Sequence, residues 1–193
     1  MRLACLIAVM VEMAALPLPA RWPVGATILV WMDPANAPAG AEGLVNRALG
    51  TWTDAVGRSV ILTATHVKGD AVMRVRFARS RGEYGETVPH LDPRTGTIVG
   101  ADVVIASDTG GDDPVMQRIV IYLTALHEIG HAIGLPHTDD FTDIMYSFRR
   151  PDDGARYFEA YRRRLRSPNA IGSAQATGLS PHDLAAVREL YGR

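Results

Sequence analysis

Three of the six histidines in this 193-residue chain fall between positions 127 and 137, as His127, His131 and His137, and Glu128 follows the first of them. They stand at the end of a nearly all-apolar stretch, 115–133, which predicts a buried helix. Each residue of an α-helix turns 100°, so positions four apart lie on one side, one turn up. His127 and His131 can therefore reach a single ion at the ~2.0–2.1 Å that zinc–nitrogen bonds require. Glu128 can reach the vicinity of that ion without ligating it, which is where a base must stand to take a proton from water.

Two ligands leave a zinc site incomplete. Gly134 comes three residues after His131, and His137 three after that. Glycine adopts the left-handed conformation that ends a helix and swings the chain back, and Pro136 stiffens the approach. Three neutral imidazoles on one side of an ion, with a position left open for water and substrate, make the catalytic pattern; a structural zinc is closed by four protein ligands. These five residues at these intervals would arise by chance on the order of 2 times in 100,000 in a chain of this composition. Satisfied core histidines are accordingly the weaker explanation.

The elements that must position this motif need a core, and 47% apolar against 21% charged residues supplies one. A formal charge of -1 lacks the excess of Lys and Arg by which proteins bind nucleic acid or acidic membranes. Strands are expected at 26–31, 60–65, 71–77 and 98–106, the last rich in β-branched residues. Leu44, Val45, Ala48, Leu49, Trp52 and Val56 recur at helical spacing and predict a first helix over 41–56. Asp92-Pro93 through Gly96 is turn chemistry. Asp113-Pro114 caps and opens the histidine-bearing helix. An Arg-rich helical stretch over 155–166, a flexible loop over 167–178 and a last helix opening at Ser180-Pro181 complete the chain. The class is α+β: a sheet lobe, a cleft, and a lower lobe of helix and loop.

Residues 1–20 read differently. Arg2 precedes an apolar run, 3–18, interrupted by Glu12, and Ala20 is a small residue at a cut site, so a secretory signal peptide over 1–20 and a catalytic domain over 21–193 are expected. The run is too short for a comfortable membrane span. The single cysteine, Cys5, lies inside that segment, which leaves the mature chain no disulfide, cysteine ligand or thiol latch.

The full pattern His127-Glu128-x-x-His131-x-x-Gly134-x-x-His137 resembles that of the metzincin metallopeptidases, and further residues resemble the matrixin branch. Asp143-Ile-Met145-Tyr146 follows His137 at the short spacing of a matrixin Met-turn, and 179–192 is similar to the closing matrixin helix. The resemblance implies a twisted mixed sheet with the first and active-site helices in an upper lobe, and one catalytic zinc ion. It also implies an endopeptidase that acts on protein or peptide substrates, which the expected leader over 1–20 would make secreted or periplasmic. Met145 is expected as a floor under the histidines, with Gly134 and Tyr146 supporting. The stretch 101–105 is similar to the edge strand above the cleft, along which an extended substrate would lie.

There are departures too. Thr138 replaces a typical Ser. Val104 stands where animal matrixins carry a histidine ligand to a second, structural zinc, so His90 is read as a surface loop residue. Arg149, Arg150, Arg156, Arg162, Arg163, Arg164 and Arg166 crowd an insertion, read as a solvated face rather than a cationic pocket wall. Calcium at the 108–113 loop is only suggested, and a monomer is expected. A catalytically silent metzincin-fold binding protein and a non-exported processing peptidase are the alternatives.

Overall fold

The computed structural model describes residues 20–80, 82–109 and 111–192. All but the last residue of the expected leader lies outside the described residues. The element order is β1 (Thr27–Met32), α1 (Ala41–Ala55), β2 (Ile61–Thr65), β3 (Met73–Ala78), β4 (Gly85–Leu91), β5 (Ile98–Ala106), α2 (Pro114–Ala132), α3 (Asp153–Arg164) and α4 (Pro181–Leu190).

Among the described residues the five strands form one mixed sheet in the order β2-β1-β3-β5-β4, with β4 antiparallel to β5 and the other pairs parallel. Along β3, Met73, Val75 and Phe77 are buried and Arg74 and Arg76 are exposed, the period of two that a half-covered sheet demands. The covering layer is α1 and α2, joined where the buried Trp52 indole N–H donates to the Leu126 carbonyl at 2.7 Å. Asp113 caps α2, its Oδ1 accepting from the N–H groups of Val115 and Met116 at 2.9 and 3.1 Å.

Two expectations are corrected here. The stretch 101–106 is not the sheet's edge: β5 is flanked by β3 on one side and by β4 on the other. Nor is His90 a loop residue. It sits in β4 opposite Gly100, with Nε2 3.0 Å from Asp102 Oδ2 on β5. The polar Glu86 and His90, and above all Pro89, disguise β4, because proline lacks the N–H that an interior strand must donate. In the ladder the Tyr84 carbonyl accepts from the Ala106 N–H. Alternation then turns the main-chain groups of Glu86, Val88 and His90 toward β5, and those of Gly85, Thr87 and Pro89 toward the free edge. Proline is tolerated there because its missing donor has no partner to disappoint.

The lower lobe hangs from the C-terminal end of α2. That end is buried, so its carbonyls need donors. Trp22 Nε1 serves Ala132 at 2.8 Å, the Tyr191 hydroxyl serves Ile133 at 2.8 Å, and the Leu135 N–H serves Gly130 at 3.0 Å. Gly134 makes the return possible with φ of 101°, and a side chain there would strike the Ala20 carbonyl. In α3, Tyr157, Phe158 and Tyr161 face inward, while Arg162 pairs with Asp113 at 2.6 Å. Across 167–178, the Ala176 and Thr177 carbonyls accept from Tyr161 and Tyr122.

A capping box opens α4, Ser180 and Asp183 satisfying each other's N–H groups. Ser180 Oγ also donates to the fully buried Asp143, which meets His182 Nδ1 at 2.6 Å. The hydrogen bond to Asp143 and then its charge hold the His182 pKa above its ordinary 6.5, Asp183 and Asp140 adding and burial opposing. A folded-state value above the unfolded one contributes stability that is complete below about pH 6.5 and lost as pH rises through the folded pKa. Thermal unfolding of His182→Ala beside the wild type should therefore show the widest Tm gap near about pH 6, closing toward about pH 9.

Candidate metal centre

The last two turns of α2 carry His127, Glu128 and His131, and the Gly134 turn returns His137 to the same point. The three Nε2 atoms lie 3.0–3.2 Å from one another. Four ligands at zinc–nitrogen distance around a tetrahedron would stand about 3.3–3.4 Å apart. The ring edges opposite are fixed by backbone oxygens: His127 Nδ1 lies 2.6 Å from the Ile144 carbonyl and His131 Nδ1 2.8 Å from that of Leu135. A carbonyl only accepts, so the hydrogen of each ring sits on Nδ1 and Nε2 is left with a bare lone pair. Two bare lone pairs converging with a third ring nitrogen, that of His137, suit a shared cation, and this donor set fits zinc. Among the described residues these histidines form a group whose ligand atoms can hold one ion.

Protonation is discouraged at all three rings. Burial, with the neighbouring His131 and His137 adding and the Ile144 carbonyl opposing, pushes His127 down to about 4. Burial also holds His131 and His137 below the usual histidine value. Neutral imidazole is the ligand form.

Beneath the rings lies the turn containing Met145. Thr138, next to His137, is bound to it twice: the Thr138 N–H donates to the Met145 carbonyl at 2.8 Å, and the Ser147 N–H to the Thr138 carbonyl at 3.2 Å. From below, Asp183 accepts from the N–H groups of Ile144 and Met145 at 2.9 and 3.5 Å, while the Ile144 carbonyl orients His127. Met145 is 2% exposed and packs where Gly130 leaves a gap on α2. It contributes packing and no ligand atom. Tyr146 lines the cleft, its hydroxyl donating to Asp153 at 3.0 Å.

Glu128 is 6% exposed, and burial pushes its pKa up to about 7; the Thr87 hydroxyl opposes this, and Glu83 and Glu86 add to it. A cavity of about 770 Å³ opens over the histidines, with Glu83, Glu86 and Thr87 on the sheet side and Phe148, Arg150 and Phe158 opposite. Of the clustered arginines, Arg150 lines this cleft, Arg149 pairs with Asp139, and Arg164 lies over Tyr161. In the 108–113 loop, Asp108 accepts from the Ser80 N–H. Gly85 and Thr87 are the site residues that sequence reasoning missed. Their signal was a run of strand length just before the Asp92–Gly96 turn, the first arm of a hairpin with β5.

A helix bearing two histidines, a glycine turn that returns a third, and a methionine turn packed beneath them define a metallopeptidase catalytic domain. The chain belongs to the matrixin family: residues 31–158 match the model of peptidase M10, matrixin. It is similar to the matrilysins of Felis catus, at 29% identity over 79% of this chain and 52% of the relative, and of Homo sapiens, at 28% over 79% and 51%. Matrix metalloproteinase-20 of Homo sapiens is 28% identical over 58% of this chain and 24% of its own length. The chain thus spans about half the length of the matrilysins it matches.

The Gly130 gap yields a stability prediction. A methyl at Gly130 collides with Met145 Sδ and comes within 3.1 Å of Trp52. Gly130→Ala should destabilise the metal-free protein by about 1–3 kcal/mol, as overpacking of a filled core does, read as a lowered Tm.

Proposed function

We propose that this chain is a secreted zinc-dependent endopeptidase in which His127, His131 and His137 hold one zinc ion and Glu128 is the general base. The observation that carries this reading is the convergence of three histidine Nε2 atoms beside a buried carboxylate that is not one of the ligands. Zinc so held would supply Lewis acidity, which makes water nucleophilic near neutral pH and polarises the scissile carbonyl. Glu128 takes the proton of the attacking water as its oxygen bonds to the carbonyl carbon. It then delivers that proton to the amide nitrogen as the carbon–nitrogen bond breaks. A pKa near 7 suits a group that must both accept and return a proton at neutral pH.

The substrate strand belongs on β4, because β5 has no free side. An extended peptide added there would find outward N–H and C=O groups on Gly85 and Thr87, and at Pro89 a carbonyl alone. Export rests on the charge-then-apolar pattern of residues 1–20.

Purified protein should contain one zinc per chain and cleave casein or gelatin, with activity lost to a chelator and regained with zinc. Glu128→Ala should keep the zinc and lose about 10²–10⁴-fold in kcat. Full activity in that variant, or a wild type that takes up no divalent metal, rejects the proposal.

A further inference from the structure

We infer that Thr87 is a positioning residue for Glu128, and that Gly85 completes the seat; this rests on the reading of Glu128 as the base. The Thr87 hydroxyl lies 2.7 Å from Glu128 Oε2 and 2.9 Å from the Glu128 backbone carbonyl. One side chain on β4 therefore touches both ends of one residue on α2. Two positions earlier, a Cβ built on Gly85 would stand 2.7 Å from Glu128 Cγ and Oε1 and 2.9 Å from Cδ. The carboxylate rests in the space that Gly85 leaves. Gly85 has no positive φ, so its backbone conformation does not require glycine. What requires it is the clearance.

Residues 85 and 87 have a second property. Side chains alternate across a strand while main-chain groups lie in its plane. Gly85 and Thr87 turn their N–H and C=O groups to the free edge of the sheet and their side-chain positions to α2. The residues that would pair with a peptide's main chain are therefore the ones that seat the base. The reach from carboxylate to bound peptide is set by one rigid strand, not by two separately moving parts. Placement of this kind carries large rate factors, because a displacement of about 1 Å can cost on the order of 10²-fold.

Thr87→Val removes the hydroxyl and keeps a β-branched side chain suited to a strand. Expected for it are a kcat lowered roughly tenfold to a hundredfold, a KM within about twofold, and unchanged zinc content and Tm. Thr87→Ser, which restores the hydroxyl, should recover kcat to within about threefold. Gly85→Ala, which crowds the carboxylate from the other side, should lower kcat in the same way. A readout independent of turnover is calorimetric binding of a peptide hydroxamate, whose N–O hydroxyl offers a proton to a carboxylate beside the histidines. Its affinity should fall about tenfold in Thr87→Val and return in Thr87→Ser. Wild-type kcat in Thr87→Val, a Ser variant as impaired as Val, or loss traced to missing zinc overturns the inference alone. A zinc-loaded wild type that cleaves nothing overturns the peptidase reading, and this with it.

Discussion

Three imidazole nitrogens, two of them with bare lone pairs, meet at one point, and much of this fold is arranged to keep them there. Two rings are fixed by carbonyls, of Ile144 and Leu135, that belong to different turns. Each turn is itself held. Leu135 closes back on Gly130 within the helix end, and Ile144 is hooked from beneath by Asp183. The orientation of His127 thus depends on a carboxylate at the start of α4, distant in sequence and adjacent in space. Removing support there would loosen a ring without touching it, which is how outer partners tune metal ligands.

The two lobes divide the labour. The sheet side offers rigidity: α1 and α2 lock through Trp52, and β4 stands beside Glu128. The lower side offers return paths, with Gly134 reversing the chain, Thr138 stitched to the Met145 turn and the box at Ser180 anchoring that turn. The boundary between the lobes is the cleft. The aromatic side chains that close its floor, Phe148 and Phe158 among them, meet Tyr84 of the sheet side edge to face at 6.0 and 4.9 Å.

Much of this was legible in the residues. Histidines four apart on an apolar run define a shared helix face without any coordinates, and Asp113-Pro114, Gly134 and Ser180-Pro181 marked real ends of elements. Trp52 and its neighbours announced α1 by period alone. What escaped was β4. Strand signals rest on alternating apolar and β-branched residues, and β4 alternates polar side chains with a proline because one of its flanks is free and much of it meets solvent. Missing that strand displaced the edge by one position, onto β5, put His90 in a loop and hid Gly85 and Thr87. The reach of Asp183 to the Met145 turn joins segments far apart in sequence, and no local pattern encodes it.

Pro89 has one more consequence. A bare sheet edge invites the same edge of another molecule, and two β4 strands laid side by side would each need a continuous ladder of donors and acceptors. A ring without a hydrogen at the middle of that ladder breaks it for both copies at once. A single flexible chain can settle on the half that remains, whereas a rigid twin cannot shift to avoid the gap. The strand is thereby accessible to a loose polypeptide and resistant to self-assembly into fibrils.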